Sequence, residues 1–149
     1  MRRTSLALML AAACGLGTPA LVHAQTLPSE PLALHQALGG KEGIARIMTR
    51  LVSAVRADAR IGHMFKEVKP KFLADQLSDQ VCQLAGGPCR YEGETMRKAH
   101  AELKIKASDF NALVELLQIA MDEEGVAFRS QLRLLALLAP MHRDIVTGP

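Results

Sequence analysis

Beyond residue 24 the chain carries four histidines, His35, His63, His100 and His142, the side chains best suited to hold a metal or move a proton. They are too scattered to form a metal cluster local in sequence. No His-Glu-x-x-His helix, Gly-rich phosphate loop, Gly-x-Ser-x-Gly elbow or Cys-x-x-Cys-His attachment site occurs. A solitary His can still ligate a metal that arrives inside a cofactor bringing its own further ligands. His100 is the one to weigh, because Tyr91-x-Gly93-x-x-Met96-x-x-x-His100 puts Met96 one helical turn before it on the same face. The other reactive pair is Cys82 and Cys89. In an oxidising compartment they can close a small loop; otherwise they are two free, partly buried thiols.

These residues need helices to position them. Ile44, Ile47, Met48, Leu51, Val52 and Val55 repeat at i, i+3, i+4 and i+7, so Glu42–Ala57 is expected to be an amphipathic helix. Before it, Leu32–Ala37 is a short helix or turn stopped by Gly39-Gly40; after it comes a compact segment, Asp58–Phe65. Pro70 suits the first turn of a further helix, where its missing N–H costs nothing. That helix presents Leu73, Leu77, Val81 and Leu84 on one face and stops at Gly86-Gly87-Pro88, glycines expected to turn through positive φ. A short helix covers Glu94–His100. Ser108 or Asp109 is expected to cap a helix bearing Phe110, Leu113, Val114, Leu117, Ala120 and Met121, which ends at Gly125. The last helix runs from Phe128 to Ile145, with Leu132, Leu135 and Leu138 in register and Pro140 as a kink or break. No stretch alternates like a strand. The chain reads as all-α, and its middle, from Leu84 to Ala107, is poor in apolar side chains between strongly one-sided neighbours, as if something apolar filled the centre.

The 149 residues suit one domain plus a targeting segment, and 49% hydrophobic against 22% charged residues describes a foldable chain. Aromatics at 3% and a net charge of +3 are too little for base stacking or a phosphate footprint, so nucleic acid is not an expected partner. Met1-Arg2-Arg3, the apolar run Leu6–Leu16 and the small-x-small site Val22-His23-Ala24 read as a signal peptide over residues 1–24. The run is shorter than the roughly 20 residues of a membrane span, so no span is expected. A lipid anchor at Cys14 and twin-arginine export are weaker readings of the same leader. Residues 25–31 form a Pro/Ser linker and residues 32–149 the domain. The protein is expected to be exported, to the periplasm.

Taken in order, Gly39-Gly40, Phe65, Gly86-Gly87-Pro88, the Tyr91–His100 pattern and Ala139-Pro140 resemble the group 1 truncated haemoglobins. The resemblance spans about Leu32 to Val146 and is most specific between Gly86 and His100. It implies a truncated, two-over-two globin fold around haem b, with His100 as the one protein ligand to the iron. It further implies that Met96 packs near the proximal haem face and Phe65 against the distal side, that Tyr91 docks the loop before the proximal helix, and that Ile105 belongs to the cofactor-contacting set. Lys98, with Arg97 and Lys104, flanks His100 and is placed to meet haem propionates, or else forms a solvated face.

On the distal side the chain departs from that pattern. Val52 stands where many members carry a Tyr, and Leu73 and Leu77 stand across the pocket from it, where Gln residues are common. A donor to bound O2 in a dry pocket contributes roughly 1–3 kcal/mol. Without one, O2 leaves about tenfold to a hundredfold faster, while CO and NO are less affected. Gln76 and Gln80 are the remaining polar candidates, four residues apart on one helical face; the alternative reading turns that face to solvent. His63 is a candidate sixth ligand, and His142 lies near where some members bond a His to a haem vinyl. The function implied is reversible binding of O2, NO or CO. The alternatives are a haem enzyme acting on NO or peroxide, which needs a reductant and a distal acid–base group, and a haem carrier or gas sensor.

Overall fold

Helices begin where the apolar period begins. The computed structural model describes residues 30–149, and among these no strand occurs. The expected leader, Cys14 included, and residues 25–29 lie outside the described residues. In chain order the helices are α1 (Glu30–Ala37), α2 (Gly40–Ala57), α3 (Pro70–Leu84), α4 (Met96–His100), α5 (Ala107–Glu123), α6 (Phe128–Leu138) and α7 (His142–Ile145). Short 3-10 turns at Gly62–Phe65 and Ala139–Met141 link α2 to α3 and α6 to α7. The second turn contains Pro140, so the last helix breaks where a proline removes a backbone donor.

Two packed helix pairs make the scaffold. α2 lies against α3 and α5, and α5 against α6. The α2 stripe foreseen from its period is buried in full: Ile44, Ile47, Met48, Leu51, Val52 and Val55 are each 0–3% exposed. Each such side chain contributes about 1.5–3 kcal/mol through apolar area removed from water, so α2 is the spine of the core. From the other helices, Leu34, Leu38, Val81, Leu117, Met121 and Leu134 complete it. Gly39 and Gly40 turn the chain from α1 into α2 at φ 84° and 67°, a left-handed bend that side chains resist.

Some expectations are corrected. Neither Ser108 nor Asp109 is the N-cap of α5. The helix starts at Ala107, and Asp109, in its third position, accepts the Lys106 N–H through Oδ2 at 3.0 Å. Leu132 does not join the core. It is 49% exposed beside Phe128 at 64%, because α6 buries Gln131 and Leu134 instead. Gln131 closes the α5–α6 turn by donating to Asp122 Oδ1 (2.6 Å) and to the Val126 carbonyl (2.9 Å). Gly87 does not need positive φ, unlike Gly86 at 81°. Its constraint is close approach, since a Cβ there would lie 2.4 Å from the His35 ring and 2.7 Å from Cys82 Sγ.

Candidate functional site

α4 is short, buries none of its residues and carries His100 at its last position. Its start is set by Thr95, whose side chain accepts the Lys98 N–H at 3.3 Å. The loop before it is docked twice through Tyr91: its N–H donates to Gln83 Oε1 at 2.7 Å and its hydroxyl to the Glu94 carbonyl at 3.0 Å. Burial, helped by the Glu94 carboxylate, pushes the Tyr91 phenol up, which keeps the hydroxyl a donor. The expected docking role of Tyr91 is the geometry seen. On its far side α4 packs against α7, with Arg97 and Asp144 paired at 2.6 Å. The Thr147 and Gly148 N–H groups bind the Ile105 carbonyl at 3.0 and 2.9 Å, tying the C-terminus to the segment after His100.

One contact decides the chemistry of His100. Its Nδ1 lies 2.7 Å from the Met96 carbonyl, which can only accept, so Nδ1 carries the proton and Nε2 is left as the lone-pair donor. Among the described residues no three of His, Cys, Asp and Glu come together. A His whose Nε2 is left to donate a lone pair suits a metal that brings its other ligands with it. At the margin of the core, apolar side chains are left partly uncovered, which is surface a planar apolar group can cover. Met96 is half-buried, and Phe65, Leu77, Leu113, Leu116, Leu135 and Leu138 are partly buried apolar residues at the margin of the core.

The turn that carries Phe65 is clamped from α2 by Arg56, whose Nη1 donates to the Phe65 and Val68 carbonyls. Leu73 and Leu77 sit on α3 and are half-buried. Val52 is buried at 2% and borders a groove of about 520 Å³ between α2 and α3, walled also by Thr49, Ser53, Pro70 and Ala74; Leu73 and Leu77 are not among its walls. Ile105 is half-buried, with its carbonyl taken by the C-terminus. Lys98 pairs with Glu94 at 2.5 Å and is mostly exposed, so its ammonium already has a partner. His63 is exposed, and the His142 ring packs edge-on to Phe110, with centroids 4.8 Å apart.

Gln80 faces inward. It is 8% exposed, and its amide nitrogen lies 3.4 Å from Met96 Sδ and 3.9 Å from Met141 Sδ. The signal was readable: Gln80 follows Leu73 by seven residues and Leu77 by three, which is the same helical face. Met141 was missed altogether, because its position depends on the break at Pro140.

The packed pairs α2–α3 and α5–α6, with the short helix that carries His100, are the frame of a short two-over-two globin. The bacterial-like globin family model matches residues 33–147, and the chain belongs to that family. A group 1 truncated hemoglobin of Tetrahymena pyriformis is 30% identical over 98 residues, covering 66% of this chain and 81% of the relative. One from Mycolicibacterium paratuberculosis is 24% identical over 120 residues, covering 80% and 88%. The crystal structure of the Tetrahymena pyriformis truncated hemoglobin in its Fe(III) form superposes with a TM-score of 0.74 at 25% identity, covering 77% of this chain and 98% of that one. The 2/2 hemoglobin of Synechococcus, solved with covalently attached heme, gives 0.71 at 22% identity, a likeness of fold.

Proposed function

We propose that the chain holds one haem b through His100 Nε2 and reversibly binds a diatomic gas on the opposite face. The observation that carries this is the 2.7 Å contact between His100 Nδ1 and the Met96 carbonyl, which leaves one neutral imidazole nitrogen free to donate. When bound, the haem supplies a ferrous iron with one position open to a small ligand. The protein's part is to hold that group and to shape the opposite side. Phe65, Leu73 and Leu77 offer apolar surface there, and Val52 offers no hydroxyl. O2 depends on a hydrogen-bond donor, whereas CO and NO do so less, so the side chains favour the latter two. An enzyme working on NO or peroxide would need a reductant and a distal acid–base group, and neither Leu73 nor Leu77 can move a proton. Export to the periplasm is part of the proposal, and the Cys82–Cys89 disulfide supports it.

The test is the absorption spectrum of the chain with one equivalent of haem in ferric, ferrous and ferrous-CO forms. A five-coordinate ferrous band that shifts on adding CO is the expected result. A six-coordinate ferrous spectrum would bring forward an internal ligand such as His63. His100→Ala should lose stoichiometric haem, and unchanged spectra and affinity in that variant would overturn the ligand assignment.

A further inference from the structure

Cys82 and Cys89 form a disulfide across seven residues of sequence, and it joins two parts of the site. Cys82 ends the helix that bears Leu73, Leu77 and Gln80. Cys89 lies in the loop leading to Tyr91 and His100. The loop is tied back to α3 by the Tyr91 N–H bond to Gln83, by the Gly87 N–H donating to the Cys82 carbonyl at 2.8 Å, and by the disulfide.

The two sulfurs are not equivalent. Cys82 is 1% exposed, whereas Cys89 is only half-buried at the margin of the core. A third side chain comes to the same joint. α1 is held to the end of α3 by the His35 N–H, which donates to the Ala85 carbonyl at 3.1 Å. That brings the His35 ring to Gly87, where His35 Nε2 and Cys82 Sγ each lie 2.7 Å from the point a Cβ on Gly87 would occupy. His35 Nε2 is buried and has no hydrogen-bond partner among the described residues. A buried ring nitrogen without a partner is costly, and such groups call for a reason. Beside a disulfide, the reason is a sulfur that becomes an anion when the bond opens.

We propose that Cys82–Cys89 is an exchangeable disulfide that accepts electrons from a dithiol, with His35 Nε2–H bonding the departing Cys82 thiolate, and that its opening loosens the segment carrying His100. A thiolate of the dithiol attacks Cys89 Sγ, on the less buried of the two cysteines. The Cys82–Cys89 bond breaks and Cys82 leaves as a thiolate. The second thiol of the reductant, as thiolate, attacks its own sulfur in the mixed disulfide and expels Cys89. The reductant is left as a disulfide, and the two cysteines take up the two protons its thiols gave up. Two electrons and two protons pass in all. The consequence for haem rests on the proposed function; the exchange itself does not.

Two measurements separate these parts. In the first, the full chain is treated with dithiothreitol, and the free thiols are trapped and counted by mass spectrometry. His35→Leu should be reduced about tenfold more slowly, since a charge-assisted hydrogen bond to the leaving sulfur is lost. His35→Gln, which keeps an N–H donor, should recover part of the rate and covers the case in which the Leu variant folds poorly. Equal rates in wild type and both variants would overturn the role of His35. In the second, haem loss from the ferric holoprotein to excess apomyoglobin is compared between the disulfide form and Cys89→Ser. Loss about tenfold faster in the variant is expected from releasing one short loop closure. Equal rates would overturn the coupling to the haem segment, whereas failure of the disulfide form itself to take up haem would overturn the proposed function and leave the thiol measurement standing.

Discussion

At the residue scale, the site turns on which atoms are already committed. The His100 Nδ1 proton is spent on the Met96 carbonyl, and that bond also sets the rotation of the ring about its axis. Opposite it, the absence of a hydroxyl at Val52 is the feature to test. Val52→Tyr should slow O2 release about tenfold to a hundredfold if the phenol reaches the ligand, the equivalent of one hydrogen bond. Stopped-flow O2 displacement by CO reads this directly, and an unchanged rate would mean that position 52 faces only the α2–α3 groove it borders. Gln131 makes a separate prediction. Its buried amide donates to Asp122 and to the Val126 carbonyl, so Gln131→Leu leaves a buried carbonyl unpaired and should cost about 1–3 kcal/mol in urea unfolding. Gln80 is the residue that period alone could have turned inward, yet a Gln reads as polar and is assigned to solvent by default. Only its contact with Met96 and Met141 shows otherwise.

At the element scale, the helices with a full apolar stripe were legible. α2, α3 and α5 stand where the spacing of Ile, Leu, Val and Met put them, within a few residues at each end. α6 was legible as a helix but not in its facing, because Leu and Phe occupy both of its sides and period cannot choose between two apolar faces. The start of α5 was misjudged because Asp109 supplies the same kind of bond from the third helical position that a cap residue supplies from outside. The joint between α1, α3 and the following loop is tight. Gly87→Ala would put a methyl 2.4 Å from His35 and 2.7 Å from Cys82 Sγ, so something must move. A loss of about 1–3 kcal/mol is expected, as for other overpacked sites, and thermal unfolding checks it. Wild-type stability in that variant would show that the His35 ring swings away freely.

At the scale of the whole molecule, exposed ion pairs join helices at several points. Arg46 and Arg50 meet Glu124 between α2 and the residue after α5, and Arg60 bridges Asp58 to Glu115. The Arg60 side chain and backbone N–H hold the Asp58 carboxyl down at about 2, and Arg50 and Arg46 hold Glu124 below its usual range. A depressed carboxylate adds stability that is present above its ordinary pKa, 3.8 for Asp58, and is lost as pH falls towards about 2. Urea midpoints of wild type and Asp58→Asn should therefore differ near neutral pH and converge near pH 2. Curves that run parallel from neutrality to pH 2 would mean that the pair contributes nothing to acid stability. The sequence by itself determined the all-α class, the order of the helices and the ordered residues from Gly86 to His100, because helical period and turn residues act over a few positions. The inward Gln80, the closed Cys82–Cys89 pair and the His35 ring brought to Gly87 were decided by tertiary structure. Each is a distance set by how helices pack or how a loop folds back, and a helical period says which face is apolar but not what comes to lie against it.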